Sequence, residues 1–361
     1  MESFNPNDIG LPNGNFFALP YSIDDAEIVL ISVPWDVTTS YRSGTANAPV
    51  RIIDASAQID LCDTDIIDAW KIKIGTKQYN EEIFIKSVEM REKAELIIAH
   101  LENGGKVKDM LIANKLTAIN EASEKLNDWV FEHSKRCYEK GKIVGIVGGE
   151  HSVPFGLIKF LSGKYDNLGI LHIDAHADLR RAYEGFEYSH ASIMYNVITK
   201  CNNVSKLVQV GIRDFCSAEA QLIANNSKIK AYTDYEINEK LFSGEYTWKA
   251  ICNDIVDNLP ENVYLSFDID GLSPDLCPNT GTPVAGGLSF QQAHYLLKTL
   301  AKSGKKIVGF DLSEVAPNPN IDTDEFDANV GARILHKICC STYLSNKINL
   351  ELRIKNLELF Q

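Results

Sequence analysis

An apolar run from Leu168 to Ile173 ends in Asp174, His176 and Asp178, so three side chains able to ligate metal ions fall at alternate positions just past a strand-like segment. Two further clusters share that placement. In IVGIVGGEHS, Gly148 and Gly149 permit a tight turn after the apolar run, and Glu150 and His151 follow at once. In VYLSFDIDGLSP, Val263 to Phe267 lead directly into Asp268 and Asp270, two carboxylates that an extended chain projects to one side, with Gly271 and Pro274 marking the turn. A single histidine is ordinarily a satisfied structural residue, and an aspartate pair at a turn is ordinarily solvated. Three coincident clusters exceed that explanation. Gathering these carboxylates and imidazoles in one pocket is unfavourable unless cations offset the like charges. A set of carboxylates and imidazoles without a thiolate is hard to borderline in character. It suits two Mn²⁺, Ni²⁺, Co²⁺ or Fe²⁺ ions better than a structural zinc. Two such ions ~3.5 to 4 Å apart lower the pKa of a bridging water and generate hydroxide at neutral pH, so the implied reaction is hydrolysis.

These residues need a frame that brings strand ends together. Short apolar runs bounded by turn residues recur at Ala26 to Val33, Ile143 to Val147, Leu168 to Ile173, Leu207 to Val210, Val263 to Phe267 and Lys306 to Phe310, and each reads as a buried strand. Helical-period stretches lie between them, at Val153 to Leu161, Ala218 to Asn225, Trp248 to Leu259 and Phe290 to Ser303. Such alternation predicts a parallel sheet covered by helices on both faces, with ligand sites outside the carboxyl ends of the strands. From Glu81 to Lys140 the pattern changes to two long charged helical segments broken by Asn103-Gly104-Gly105. This reads as a helical hairpin inserted at 81–140, taken as a plain surface insertion ahead of a lid or an oligomer contact. One large α/β domain over 1–361 is the default, with two small domains as the alternative.

Composition narrows the function further. Lys plus Arg total 36 against 49 Asp plus Glu, a formal charge of −13, and no extended basic run is present to follow a phosphate backbone, which excludes nucleic acid as the expected partner. No run approaches the ~20 apolar residues of a membrane span, and MESFNPNDIG resembles neither a secretory signal nor a transit peptide. The eight cysteines are scattered without CxxC spacing, which fits a reducing cytoplasm.

GGEHS, DAHADLR, SFDIDGLSP, TGTPVAGGLS and DLSEVAP stand in this chain in the order they have in the ureohydrolases, the family of arginases and agmatinases, and at these motifs the sequence resembles that family. The resemblance covers about Asp24 to Ala57 and Lys142 to the C-terminal helix, leaving the hairpin largely outside. It implies a three-layer α/β/α domain with a mainly parallel sheet of about eight strands, and commonly a homo-oligomer, trimeric or hexameric. Carried over by motif, His151 and Asp178 hold one metal, His176 and Asp270 the other, and Asp174 and Asp268 bridge both. Glu314, in DLSEVAP, matches the acid that receives the substrate guanidinium, and His190, in YEGFEYSHASIM, the histidine that shuttles protons at the mouth.

For substrate, the resemblance implies a small cationic guanidino compound. Leu179, Arg180 and Arg181 follow the DxHxD cluster where arginases have a polar segment for the amino-acid end, and Cys216 stands where arginases carry an acid near the substrate amine. DLRRAYEGFEYSHASIM is closer to agmatinases, so agmatine, hydrolysed to putrescine and urea, leads. If Arg181 points inward, a guanidino acid such as guanidinobutyrate becomes an alternative, because arginine binds carboxylates bidentately. Free guanidine, arginine and formiminoglutamate remain open. Readings outside this class are a two-metal phosphoesterase and a metal-binding protein that docks a partner through the hairpin.

Overall fold

The computed structural model describes residues 4–358. In its first third, β1 (Ile28–Val33) leads through α1 (Ala48–Ser56) to β2 (Ile74–Lys77), and the hairpin α2 (Glu81–Glu102) and α3 (Met110–Glu139) follows. Strands and helices then alternate: β3 (Ile143–Gly148), α4 (Phe155–Ser162), β4 (Leu168–Ile173), α5 (Ile193–Lys200), β5 (Val204–Ile212), α6 (Ser217–Asn225) and β6 (Ile229–Thr233). After α7 (Asp234–Phe242) and α8 (Trp248–Asp257), the chain closes with β7 (Asn262–Asp268), α9 (Phe290–Lys302), β8 (Lys306–Ser313) and α10 (Phe326–Glu358).

The eight strands form one sheet in the order β2-β1-β3-β8-β7-β4-β5-β6, and among the described residues every pairing is parallel. The architecture is the expected three-layer α/β/α, wholly rather than mainly parallel. Strand alternation divides the core. Ile28 and Leu30 of β1 belong to the core layer that holds apolar residues of α1, α8, α9 and α10, whereas Val29, Ile31 and Val33 belong to the layer that holds those of α2, α3, α4 and α5. Both faces are therefore buried, which is why the central strands read as continuous apolar runs.

The hairpin is not a surface appendage. On α2 the buried residues are Ile83, Ser87, Met90, Ala94, Ile97 and Ile98, and on α3 they include Ile112, Ile119, Leu126, Val130 and Cys137, the spacing of one helical stripe. Those stripes join the core cluster that holds Val29, Ile31 and Ile146 of the sheet. The Asn80 side chain starts α2 by accepting from the amides of Glu82 and Ile83 at 3.0 and 3.3 Å.

Candidate metal centre

Strand order sets β3, β8, β7 and β4 side by side, and each delivers a candidate residue at its carboxyl end: His151 beyond β3, Glu314 beyond β8, Asp268 and Asp270 at β7, and Asp174, His176 and Asp178 beyond β4. Register aligns those ends in one row. Ile173 pairs with Phe267, Asp268 with Ser313, and Val147 with Leu312. One rung further, the Glu314 amide donates to the Gly149 carbonyl at 2.9 Å. Gly149 is required here for close approach, since a Cβ would stand 1.9 Å from the Trp35 carbonyl oxygen.

The six expected ligands fall into two groups that share Asp174. His151 Nδ1 lies 3.0 Å from Asp174 Oδ2 and 3.2 Å from both Asp178 Oδ2 and Asp268 Oδ2. His176 Nδ1 lies 3.0 Å from Asp270 Oδ2 and 3.5 Å from Asp174 Oδ1. Backbone amides fix the opposite oxygens: Asp174 Oδ1 accepts from His176 N at 2.6 Å, Asp268 Oδ1 from Asp270 N at 2.9 Å, and Asp270 Oδ1 from Ala175 N at 3.0 Å. All but His176, with 23% of its side chain exposed, are buried.

The electrostatics of this cluster fit divalent cations. Burial alone would lower the His151 pKa, yet Asp174, Asp178 and Asp268 hold it well above the usual range. For His176, burial is likewise outweighed by Asp270 and Asp174, and the value rises to about 12. Burial and the charges of Asp270 and Asp174 push Asp268 well above the ordinary carboxylate range; burial and Asp174 push Asp178 up to about 6. Protein alone thus balances the site by holding protons on its imidazoles and on part of its carboxylates. Divalent cations would replace those protons with charge placed between the same atoms. The donor set, carboxylate and imidazole with no thiolate, suits that replacement.

Strain marks two of the site positions. Asp178 and Glu314 adopt φ of 52° and 64°, the left-handed region that non-glycine residues seldom occupy. Glu314 is buried rather than lining the cavity. Its Oε1 accepts from the His151 amide at 2.8 Å, and its Oε2 faces Gly281, where a Cβ would come within 3.3 Å. Burial and the neighbouring Glu150 push its carboxyl well above the ordinary range.

A supporting layer escaped the sequence reading. Ser266 Oγ lies 2.8 Å from His151 Nε2, with Asp311 Oδ1 at 3.7 Å behind. On the other side, His172 Nε2 lies 2.7 Å from Asp174 Oδ2, while its Nδ1 faces Gln209 Nε2 at 3.0 Å. Glu150, buried and pushed by desolvation to about 7, accepts from the Thr38 amide at 2.6 Å and the Thr38 hydroxyl at 2.9 Å. Thr38 Oγ1 in turn accepts from the His190 amide at 3.0 Å and stands 3.4 Å from His190 Nδ1. Glu150 stood beside His151 in GGEHS without an assigned role, and His172 carried a usable signal in lying two residues before Asp174 and so on the same strand face.

A cavity of about 130 Å³ opens above the His176 and Asp178 side of the cluster, and His190, Arg180, Asp214 and Glu219 contribute to its wall. Arg181 does not line it and is exposed; Arg180 takes the inward place. The Arg180 guanidinium lies over the Tyr183 ring at 4.7 Å, and its Nε is 3.7 Å from Glu219 Oε2. Cys216 starts α6 away from the lining, its amide donating to Glu219 Oε2 at 2.9 Å. Burial and the His176 charge hold the His190 imidazole down, to about 3.

A buried histidine and aspartate cluster at the carboxyl ends of a parallel sheet defines a metallohydrolase type of site. Residues 26–340 match the family model described as the arginase family, and the chain belongs to that family. Its ureohydrolases are binuclear metal hydrolases that cleave C–N bonds of linear amidines. The N(1)-aminopropylagmatine ureohydrolase of Thermus thermophilus is 28% identical over 299 residues, covering 83% of this chain and 85% of that protein. An agmatinase of Neisseria meningitidis serogroup C is 30% identical over 318 residues, covering 88% and 87%. In fold, the chain is similar to the proclavaminate amidino hydrolase of Streptomyces clavuligerus, with a TM-score of 0.69, 21% identity, and coverage of 94% and 100%. Among the described residues, no helix is long and apolar enough to cross a membrane.

Proposed function

We propose that this chain hydrolyses a guanidino compound with a cationic tail to urea and the corresponding amine, with agmatine, giving putrescine, as the leading substrate. The observation that carries this reading is the cavity wall. With Asp178 assigned to a metal ion and Glu219 matched to Arg180, Asp214 is the lining carboxylate left for a cationic tail, while the lining cation, Arg180, is already satisfied by Glu219 and the Tyr183 face. A guanidino acid would need a free cation for its carboxylate, and the exposed Arg181 does not supply one.

His151, Asp174, Asp178 and Asp268 would hold one divalent ion, Mn²⁺ foremost, and His176, Asp270, Asp174 and Asp268 the other. When bound, such ions supply hydroxide at neutral pH for attack on the guanidinium carbon. Glu314 would receive the guanidinium through Oε2, because Oε1 is committed to the His151 amide. His190 faces Thr38 and Ser189 through Nδ1, at 3.4 and 3.3 Å, which leaves Nε2 to pass a proton to the departing amine as the C–N bond breaks.

A longer polyamine tail is the second reading. Asp214, with 68% of its side chain exposed, extends the acidic wall to the rim, and a relative is named for aminopropylagmatine. The test is urea release by Mn²⁺- or Ni²⁺-loaded enzyme across agmatine, aminopropylagmatine, arginine, guanidinobutyrate, guanidinopropionate, formiminoglutamate and guanidine. Preference for guanidinobutyrate or arginine overturns the cationic-tail reading, and no urea from any of them overturns the function. A homo-oligomer, trimeric or hexameric, in the cytoplasm completes the proposal, and native mass measurement checks the assembly.

A further inference from the structure

The hairpin meets the site on both sides of its mouth. From α2, Arg91 Nη1 donates to the carbonyl oxygens of Val37 and Thr39 and, at 2.9 Å, to Thr39 Oγ1; its side chain is only 15% exposed. One turn earlier, Ser87 Oγ accepts from the Asp36 amide at 3.1 Å. These bonds hold the segment Asp36 to Ser40, in which Thr38 contacts Glu150 and His190, and Ser40 lines the cavity. From α3, Asn120 spans the opposite turn, donating to the Gly185 carbonyl at 3.2 Å and accepting from the Glu187 amide at 2.9 Å. Gly185, at φ 91°, packs so tightly beneath the hairpin that a Cβ would meet Val107 Cγ1 at 2.8 Å and Leu116 Cδ2 at 2.9 Å. That turn carries Tyr183 and leads into His190. Arg91 reaches it electrostatically as well: burial and Glu102 push the Glu184 carboxyl up, and the Arg91 charge pulls the other way.

We propose that the α2–α3 hairpin clips the two walls of the mouth together, with Arg91 and Asn120 as positioning residues that hold the Asp36–Ser40 strap and the Tyr183–His190 turn so that Thr38 orients His190. Neither residue reaches the cavity, so neither touches substrate. The effect of Arg91 passes through Thr38, whose hydroxyl is the shared contact of Glu150 on one side and His190 on the other, and that of Asn120 through the turn that leads into His190. This inference rests on the proton-shuttle reading of His190 given above.

The experiment uses the full-length, metal-loaded protein and the variants Arg91→Ala, Asn120→Ala and Thr38→Val, with amide exchange followed by mass spectrometry beside urea release from agmatine. Arg91→Ala is expected to speed exchange of the Thr38 and His190 amides by ~10-fold or more, leaving β7 and β4 protected. It should lower kcat by ~10-fold, with KM within ~3-fold and metal content unchanged. Thr38→Val added to Arg91→Ala should cost little more, because both remove the same orientation, and Thr38→Ser should restore activity. Asn120→Ala, which loosens only the second wall, should speed exchange at Glu187. Unchanged exchange in both segments, or losses from Arg91→Ala and Thr38→Val that multiply independently, would overturn the proposal. Faster exchange in a protein that releases urea from no guanidino compound would support the clip and overturn the substrate reading instead.

Discussion

Ser266→Ala isolates one half of the metal centre. Ser266 Oγ is 2.8 Å from His151 Nε2 in a fully buried setting, and the three candidate ligand carboxylates Asp174, Asp178 and Asp268 face His151 at Nδ1. The imidazole therefore offers Nδ1 to a cation and donates Nε2–H to the serine, the arrangement in which a second partner fixes tautomer and ring angle. Removing the hydroxyl leaves a buried donor unsatisfied, a cost of ~1 to 3 kcal/mol. In the metal-free protein the ring can recover part of that by tilting toward Asp311 Oδ1, 3.7 Å away, but not once Nδ1 is committed. Most of the cost should then appear in metal affinity, as a ~10- to 100-fold loss. The assay is calorimetric Mn²⁺ titration of chelator-stripped protein, wild type against variant. Only one of two binding phases should weaken, since the Ser266 hydroxyl bears on His151 and Asp311, whereas His176 pairs with Asp270 and Asp174. Equal weakening of both phases, or of neither, would refute the assignment of His151 to one ion through Nδ1.

Three other outcomes follow from the same geometry. Glu314→Gln should reduce kcat/KM by ~10- to 150-fold through the loss of a charge-assisted bond to the guanidinium, with full metal content by elemental analysis because Glu314 belongs to neither ligand group. Metal loading should release protons: His176 holds one up to about 12 and His151 holds one well above its usual range, so both must be expelled and apparent affinity must rise with pH. Calorimetry in buffers of different ionisation enthalpy reads that release, and buffer-independent heats would contradict it. Gly149→Ala should destabilise the fold by ~1 to 3 kcal/mol in thermal denaturation, since the new methyl meets the Trp35 carbonyl, part of the backbone, at a distance that only a main-chain shift can relieve.

Six strands were legible because burial on both faces leaves a continuous apolar run. The two that were not, β2 and β6, are the edges of the sheet. Ile74–Lys77 is four residues long and includes Gly75, and Ile229–Thr233 buries only Ile229 and Tyr232, so neither presents a run. The metal ligands were legible for the converse reason: their chemistry is concentrated at strand ends, where a polar residue after an apolar run stands out. Ser266 and Asp311 serve the same site from inside strands, and their relation to His151 depends on which strands are neighbours. Pairing β7 with β8 and β8 with β3 is a property of the sheet order, and nothing local in the sequence encodes it.

Arg180 rather than Arg181 takes the inward place, which is also the position that alternation from Asp174 picks out. Counting alternate positions from Asp174 holds through Asp178, but Asp178 turns into the left-handed region at φ 52° and Ala182 does so again at φ 49°. The left-handed turn at Asp178 resets which side the following side chains face, so the agreement at Arg180 is one that extended-chain alternation alone does not license. The hairpin held a signal of the opposite kind. Ser87 occupies a position of the α2 stripe otherwise filled by Ile83, Met90 and Ala94, and Arg91 stands beside it one turn on. A serine inside a buried stripe needs a partner, and here the partner is the Asp36 amide, 51 residues away, on the strap that leads to Thr38. The polar interruption of an apolar face is thus where the hairpin and the active-site wall are joined.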